Sequence, residues 1–225
     1  MVEQGSLRER RRADTVAEIK AAALGLLAVG GPEALTLRAV AREVGVSVQA
    51  LYHYFDSRDA LLTSLVTDAF AGLAEAVRVG GTAGRTRTER LVGAGLAYRQ
   101  WAHDHRPAFL LALGAPLPDY TAPECGPTTE AAGRMGAAFQ EIVFDGWSAE
   151  DLAALVPGGS APVDRTIKGL PTAARQLFVL GWASLHGFVV LEAQGHLVWL
   201  EESGEQTCRS VLESYAAAVE RARTG

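Results

Sequence analysis

Apolar residues recur at intervals of three and four along almost the whole chain, and no segment alternates apolar and polar residues for long. This spacing places apolar side chains on one face of an α-helix, whereas a half-buried strand needs alternation. The first such stripe, Val16 to Leu27, is followed by Gly-Gly-Pro at residues 30–32, a strong helix stop. Further helices are predicted over residues 88–105, 107–114, 128–145, 172–195 and 203–222. The sequence therefore predicts an all-α fold.

Two short helices joined by a tight turn are predicted early in the chain. Thr36 and Ser47 carry hydroxyls that cap helix N-termini, and Gly45 between them accepts the positive φ of a tight turn. Ala41 is small enough for two helix backbones to approach, and Leu51 anchors the second helix to the core. This spacing is typical of a helix-turn-helix, which binds DNA by placing its second helix in the major groove.

The second short helix carries a run of aromatic residues that cannot all face a core. Leu51 and Phe55 are four residues apart, so they share the buried face and leave the others at the surface. On the outer face, Gln49 is suited to read a base edge, best an adenine, and tyrosine hydroxyls reach phosphate oxygens. Arg58, at the start of the next helix, is placed to clamp the DNA backbone. The predicted DNA-binding residues are Thr36, Arg38, Ser47, Val48, Gln49, Ala50, Tyr52, His53, Tyr54 and Arg58.

The net charge of −5 is unusual for a DNA-binding protein, but the charge is unevenly distributed. Residues 1–60 carry eight basic and eight acidic side chains, whereas residues 61–225 carry 13 and 18. Residues 8–12, Arg-Glu-Arg-Arg-Arg, concentrate four arginines in what is either a solvated tail or an arm that enters an adjacent minor groove. The overall charge therefore does not exclude DNA binding by one face of the N-terminal region.

Several functional classes find no support in the sequence. The N-terminus is charged and lacks the apolar region of a signal peptide, and the longest apolar stretch, residues 177–191, is short for a membrane span. Cys125 and Cys208 lack zinc-ligand spacing and fit a reducing compartment. We find no catalytic triad, paired carboxylates, metal-ligand set or phosphate-binding loop. The sequence predicts a cytoplasmic protein that is not an enzyme and needs no metal or cofactor.

The segment "TLRAVAREVGVSVQALYHYFDSRDALLTSLV" resembles the DNA-binding domain of the tetracycline-repressor (TetR) family of bacterial transcription regulators. The resemblance covers about residues 13–70 and departs at Arg58, where the family more often has Lys. It implies an all-helical homodimer of about nine helices. Its first three helices bind a palindromic operator, its C-terminal domain binds a small ligand that releases the DNA, and its last two helices form the dimer interface. We place the DNA-binding domain at residues 1–60 and the ligand-binding and dimerisation domain at residues 61–225.

A second, weaker resemblance lies in "WASLHGFVVLEAQGHL", residues 182–197. Trp182, His186 and Gly187 resemble the Trp-His-Gly signature of one branch of the same family. Trp182 and His186 lie one helical turn apart, so they form either a ligand-recognising pair or a core tryptophan with a hydrogen-bonded histidine. We favour the second interpretation.

A small-molecule site is predicted among aromatic residues of the central and C-terminal helices, although these residues also suit an ordinary core. The set is Tyr98, Trp101, His105, Phe109, Phe139, Phe178, Trp182 and His186. Such a wall favours a small, largely apolar effector. Two hypotheses remain open: a ligand-responsive dimeric repressor, and a helical DNA-binding protein without an effector. A broad cavity in the C-terminal helices favours the first, and a filled core favours the second.

Overall fold

The computed structural model describes residues 7–115, 117, 119–155 and 170–224. Within these ranges the chain forms helices and turns and no strand, which confirms the predicted all-α fold. The α-helices are α1 (Leu7–Ala34), α2 (Leu37–Val44), α3 (Val48–Tyr52), α4 (Arg58–Gly80), α5 (Arg87–Asp104), α6 (Arg106–Leu113), α7 (Pro127–Val143), α8 (Ala149–Ala154), α9 (Thr172–Ala193) and α10 (Gly204–Thr224). A 3₁₀ helix, Val198–Ser203, precedes α10 and is not predicted by the sequence pattern.

Local signals determine where the helices begin and end. α1 is interrupted at Gly31, whose φ of 67° lies in the left-handed region, and Pro32 follows at once. This break falls at the predicted helix stop. α5 begins after Thr86, whose hydroxyl accepts a hydrogen bond from the backbone of Glu89 while the Glu89 carboxylate accepts from the backbone of Thr86. This reciprocal capping box fixes the start of the longest central helix.

The chain divides into two compact units. The first unit contains residues 1–69 and 107–130. In this unit α2 packs against both α1 and α3. Lys20 forms an ion pair with Asp68 at 2.6 Å, and the hydroxyls of Thr63 and Tyr120 lie 3.1 Å apart. Its buried apolar core includes Ile19, Ala23, Leu35, Val40, Ala41, Leu51, Phe55, Leu61, Leu62, Leu65 and Phe109.

The second unit contains residues 70–106 and 131–225 and has its own core. Helices α5, α9 and α10 pack against one another, and the described core includes Leu91, Tyr98, Met135, Phe139, Val143, Phe178, Leu185, Val189, Leu212 and Val219. A methyl group on Gly181 would overlap the ring of Tyr215, so α9 and α10 approach closely there. This approach explains why α9 tolerates glycine at that position despite a cost of ~1 kcal/mol relative to alanine. Gly187 has no such neighbour.

A half-buried ion pair joins α5 to α9. Arg99 donates two hydrogen bonds to the carboxylate of Glu192, at 2.6 and 2.8 Å, and His103 lies 2.9 Å from the same carboxylate. Burial raises the pKa of the Glu192 carboxyl, but its hydrogen bonds with Arg99 and His103 more than reverse this effect and leave the pKa below its ordinary value. Glu192 is therefore held in its charged form inside the unit.

Two described helices, α4 and α9, are long and apolar enough to span a membrane. The apolar stretch at residues 177–191 lies within α9, which has 22 residues and agrees closely with the helix predicted over residues 172–195. Core helices of water-soluble proteins meet the same criterion, so length and composition alone do not establish a membrane protein. In α9 only 28% of the most apolar window is buried, and the rest is exposed or half-buried.

Candidate functional site

The helix-turn-helix forms with the caps that the sequence predicts. The hydroxyl of Thr36 accepts a hydrogen bond from the backbone N–H of Ala39 at 3.1 Å, and that of Ser47 accepts one from Ala50 at 3.1 Å. Gly45 adopts φ 77° between the two helices, and its N–H donates to the last turn of α2. Two hydroxyls and one left-handed glycine therefore define both ends of α2 and the start of α3.

The α3 helix ends at Tyr52, whereas the sequence predicts a second helix that includes Phe55. Leu51 and Phe55 are buried, which confirms the predicted inner face. The side chains of Gln49, Tyr52 and His53 are exposed on the outer face, and together with the half-buried Val48 they line one shallow depression. The predicted residues Thr36, Arg38 and Ser47 are exposed, whereas Ala50 is half-buried.

Tyr54 lies beyond the end of α3 and is half-buried rather than fully exposed. The guanidinium carbon of Arg12 lies 5.0 Å from the centroid of the Tyr54 ring, and Arg12 Nη2 donates a hydrogen bond to the carbonyl of His53 at 3.3 Å. The sequence did not predict this contact, because it joins residues 41 positions apart.

Residues 8–12, for which the sequence left open a solvated tail or a DNA-binding arm, form the first turns of α1 in this structure. Arginine is a good helix former, and neither glycine nor proline interrupts the sequence between Leu7 and Leu24. The four arginine side chains are exposed, so their charge remains available at the surface.

Arg58 makes internal hydrogen bonds at the point where the sequence predicts a DNA clamp. Its Nε donates to the carbonyl of Leu35 at 2.8 Å, and its Nη2 donates to that of Pro32 at 3.1 Å. These carbonyls follow the break in α1, so Arg58 ties the start of α4 to the end of α1. A contact with DNA stays a prediction.

Two family models match the sequence, one over the helix-turn-helix and one over the C-terminal part of the chain. One, described as bacterial regulatory proteins of the tetR family, matches residues 19–65, and the other, described as the tetracyclin repressor-like C-terminal domain, matches residues 91–215. The chain belongs to the TetR family of transcriptional regulators. Its helix-turn-helix is therefore a DNA-binding element, and regulators of this family are generally not enzymes. The finer resemblance to the Trp-His-Gly branch stays a prediction.

Individual relatives agree with the TetR assignment. The HTH-type transcriptional regulator Rv1816 of Mycobacterium tuberculosis is 31% identical over 200 residues, which cover 83% of this chain and 85% of the relative. The crystal structure of SCO4313, a protein assigned a regulatory role, has a TM-score of 0.76 and 31% identity and covers 93% of this chain and 98% of its own. FadR from Bacillus subtilis, solved in complex with stearoyl-CoA, shares only the fold, with a TM-score of 0.65 and 14% identity over 89% of this chain and 97% of its own.

Four predicted ligand-binding residues of this TetR-family chain form one aromatic cluster. The Tyr98 ring meets Phe139 and Trp182 edge-on, with centroids 5.9 and 5.8 Å away, and His186 stacks on Trp182 at 5.1 Å. The hydroxyl of Tyr98 lies 3.1 Å from Nδ1 of His186. This geometry matches the interpretation of a core tryptophan with a hydrogen-bonded histidine.

Burial keeps both polar members of this cluster neutral. It raises the pKa of the Tyr98 hydroxyl above its ordinary value and lowers the pKa of His186 below its ordinary 6.5. A neutral phenol can donate to one ring nitrogen of a neutral imidazole, so the pair satisfies both groups without a buried charge.

A cavity of about 20 Å³ lies beside the cluster and is almost entirely apolar. It is lined by Leu91, Phe139, Val143, Phe178, Gly181, Trp182, Leu185, Leu212 and Tyr215. Of these, the sequence predicted Phe139, Phe178 and Trp182. Tyr215 of α10 was not among the predicted ligand-binding residues, because the last two helices were expected to form the dimer interface.

Tyr215 carries a buried hydroxyl without a hydrogen-bond partner, and burial raises the pKa of that hydroxyl. The hydroxyl-bearing end of its ring lies against Gly181, which also lines the cavity. An unsatisfied buried hydroxyl costs ~1–3 kcal/mol, so a bound molecule that accepts its hydrogen bond gains that interaction.

Five of the eight predicted ligand-binding residues do not line this cavity: Tyr98 and His186 belong to the aromatic cluster beside it, and Trp101, His105 and Phe109 lie elsewhere. The Trp101 ring lies against Gly72 of α4, and His105 stacks on Trp101 with centroids 4.6 Å apart. Phe109 is fully buried in the first unit. Trp101 lies on α5 with Tyr98, His105 caps the end of that helix and Phe109 lies on α6, and the helical pattern does not show which neighbouring helix each residue contacts.

Among the described residues, no group of three or more His, Cys, Asp and Glu is arranged to hold a metal ion. Cys125 is exposed and Cys208 is buried, and both are free thiols. Burial raises the pKa of the Cys208 thiol to about 11, so it stays protonated and unreactive at neutral pH.

Proposed function

We propose that this TetR-family chain is a dimeric repressor that reads a palindromic operator and is released from it by a small, largely apolar molecule. The observation that carries the DNA-reading part is the capped, core-anchored α3 helix with Gln49, Tyr52 and His53 exposed on its outer face. An element held rigidly on one side and polar on the other suits the major groove. A bacterial regulator of this kind works in the cytoplasm, where its operator is.

The outer residues of α3 divide into base-reading and phosphate-contacting groups. Gln49 lies in the first turn of the helix, where residues of a recognition helix contact base edges, and its amide can bond an adenine bidentately. Val48 and Ala50 offer methyl groups to a thymine. Tyr52, Tyr54 and the hydroxyls of Thr36 and Ser47 are suited to phosphates, which position the helix without reading sequence.

The proposed dimer interface is the surface formed by α9 and α10. Val179 and Leu180 on α9 are 49% and 57% exposed, which is unusual for large apolar side chains on a core helix. A groove between the helices is lined by Leu180, Ser184, Thr207, Ser210, Val211, Ser214, Tyr215 and Ala218. Small and apolar residues of this kind allow close packing against a second copy, and a two-fold dimer requires two-fold half-sites in the DNA.

The effector part of the proposal must account for a nearly filled core. A cavity of about 20 Å³ has room for a single water, whereas ligand pockets enclose roughly 300–1,000 Å³. Binding therefore requires the cluster around Trp182 to move apart. The residues that line the cavity include no Lys or Arg, so they suit a neutral ligand with an oxygen that accepts from Tyr215, rather than a charged thioester such as the stearoyl-CoA bound by FadR.

A DNA-binding regulator without a small-molecule effector is the second candidate. The small volume of the cavity beside Trp182, about 20 Å³ among the described residues, favours this candidate. The two candidates share the operator and the dimer and differ only in whether the second unit opens for a ligand.

Selection of bound duplexes from a random DNA pool tests the operator part. We expect a palindromic consensus, and log affinity that falls steeply with log salt because phosphate contacts release counterions. Equal affinity for the selected duplex and for a random duplex, or an affinity that does not depend on salt, would refute the operator part of the proposal.

The dimer is tested by sedimentation of Leu180→Glu, with Val198→Glu as the control for an added charge at a highly exposed apolar site outside the groove. We expect Leu180→Glu to be a folded monomer and the control to remain a dimer. Deletion of α10 is a poorer test because Leu212 and Val219 belong to the monomer core. A dimeric Leu180→Glu protein would rule out this interface.

The effector is tested by screening neutral apolar molecules for release of the selected operator. A hit should bind Tyr215→Phe more weakly than wild type, because the variant lacks the hydroxyl donor. If no compound releases the DNA and none raises the melting temperature, the candidate without an effector is favoured.

A further inference from the structure

The recognition helix α3 is capped by a side chain at its start, whereas at its end only backbone N–H groups, such as that of His53 to the carbonyls of Ala50 and Leu51, close the last turn. Ser47 caps its N-terminus, whereas His53 at its C-terminus has a right-handed conformation, with φ −72° and ψ −14°, instead of the left-handed turn that commonly ends a helix. With five residues, α3 is also far shorter than a helix that is stable alone. The position of its outer face therefore depends on contacts from the rest of the unit.

Arg12 of α1 supplies such a contact at two points. Its Nη2 donates to the carbonyl of His53 at 3.3 Å, and its guanidinium lies over the ring of Tyr54, 5.0 Å from the centroid. The first contact satisfies a carbonyl at the end of the helix with a cation, which the helix dipole favours. The second is a cation–π interaction with the tyrosine that follows the helix.

The inner and outer faces of this segment are therefore held by different means. Leu51 and Phe55 fix the inner face to the core by burial. On the outer face, Arg12 holds the backbone of His53 and the ring of Tyr54 together, next to the depression formed by Val48, Gln49, Tyr52 and His53. Among the described arginines of residues 8–12, Arg12 is the one that the structure brings to this segment.

We propose that Arg12 is a positioning residue that sets the orientation of the recognition helix and of Tyr54, and thereby contributes to sequence discrimination without contacting a base. The proposal rests on α3 being the helix that reads DNA. It differs from a simple role of residues 8–12 as positive charge, because charge alone strengthens binding to all sequences alike.

The test compares Arg12→Ala with Arg10→Ala in the full-length chain. Both variants lose one positive charge from the same exposed turn of α1, but Arg10 is two positions away and faces a different direction. For each, affinity is measured for the selected operator and for a random duplex. Protection of the amides of residues 50–55 is measured by hydrogen exchange.

We expect Arg12→Ala to lose operator affinity by about tenfold and to lose less for the random duplex, so that the ratio of the two falls, in line with a modest exposed cation–π contact and one hydrogen bond. Amide protection should fall over residues 50–55 and stay unchanged elsewhere. Arg10→Ala should weaken both duplexes equally. Arg12→Lys, which keeps a cation over the ring, should retain most of the ratio.

The role of Tyr54 is resolved by combining Arg12→Ala with Tyr54→Leu. If Arg12 acts through the ring, the double variant loses less discrimination than the sum of the single losses. Equal weakening of both duplexes by Arg12→Ala and Arg10→Ala would overturn the proposal and leave Arg12 as a charge only. Global unfolding of Arg12→Ala at the assay temperature would overturn it as well. A wild-type chain that fails to discriminate any duplex would instead refute the operator proposal itself.

Discussion

The two units each contain a tyrosine and a histidine that sequence reasoning selects as functional, and they use them in opposite ways. Tyr52 and His53 are neighbours in sequence, lie at the surface and direct their polar atoms outward. Tyr98 and His186 are 88 positions apart, are packed with Trp182 and Phe139, and direct their polar atoms at each other. The same two residue types thus offer hydrogen bonds to a partner in one region and satisfy each other in the other.

This difference shows that residue type alone does not indicate a binding role. The two pairs differ in whether the tyrosine hydroxyl and the histidine ring nitrogen form a hydrogen bond with each other inside the fold. In the second unit the hydroxyl of Tyr215 is one of several buried side-chain atoms without a hydrogen-bond partner, and it is the one that lies beside the cavity; an argument from aromatic residues on the central helices did not consider it. An unpartnered buried donor is a stronger indicator of a ligand contact than an aromatic ring.

The largest effect should come from two glycines of α9, which test how tightly the second unit is packed. Gly181→Ala places a methyl group in the ring of Tyr215, whereas Gly187→Ala meets nothing within 4 Å and removes a poor helix former. We expect the first to lower the free energy of unfolding and the second to raise it, with a difference of about 2–4 kcal/mol between them. Urea denaturation measures both, and equal effects would show that α9 and α10 do not approach as closely as described.

The comparison of the two tyrosines is tested directly by removing each hydroxyl. Tyr98→Phe removes the hydrogen bond between the buried Tyr98 hydroxyl and Nδ1 of His186 and should cost ~1–3 kcal/mol of stability. Tyr52→Phe removes an exposed hydroxyl and should leave stability nearly unchanged, while it weakens DNA binding. If Tyr52→Phe is the more destabilising change, the contrast between the two regions is wrong.

Within the first unit, base reading and backbone contact should separate. Gln49→Ala should relax the base preference at one position of each half-site and cost ~1–3 kcal/mol of discrimination. Tyr54→Phe keeps the ring beneath Arg12 but loses the hydroxyl, so it should weaken all sequences about equally. Selection of duplexes with each variant checks this, and an altered consensus for Tyr54→Phe alone would reverse the two assignments.

The smallest effect concerns pH and the buried histidine. Because burial lowers the pKa of His186 below 6.5, the unfolded chain takes up a proton more readily than the folded one as pH falls. The free energy of unfolding should therefore decrease below pH 6.5, by at most about 1.4 kcal/mol per pH unit from this group, until the folded-state pKa is reached. His186→Gln should lessen the loss of stability between pH 7 and pH 5, with His53→Gln as the control for removing an exposed imidazole. A steeper loss in His186→Gln would contradict the assigned direction.

The sequence predicts most of the first unit because its determinants are local. Thr36, Gly45, Ser47 and Leu51 lie within 16 residues, and each acts on the backbone or the core within a few positions of itself. The predicted helices of the second unit also form to within a few residues, because glycines, prolines and caps mark their ends.

The sequence does not predict what depends on how distant segments meet. The contact of Arg12 with His53, the internal bonds of Arg58 and the position of Trp101 against Gly72 each join separate elements. Apolar periodicity shows that a face is buried but not which neighbour covers it. For the same reason the cavity wall was predicted only in part, since Leu91, Leu212 and Tyr215 come from two helices whose packing no local pattern specifies.

The two hydrogen bonds of Arg58 have a consequence for how this regulator can be altered. A single guanidinium holds the carbonyls of Pro32 and Leu35, so the chain enters and leaves the helix-turn-helix at one point. A lysine, with one compact ammonium, does not present the planar fork that reaches both carbonyls. Residues 36–57 thus form a segment whose two ends are held together. The entropic cost of bringing the ends of such a segment together depends only weakly on its length. The segment can therefore be exchanged as a unit: a different 36–57 sequence that keeps the buried residues, the caps at Thr36, Gly45 and Ser47, and Tyr54 should redirect the protein to another operator without redesign of the remaining chain.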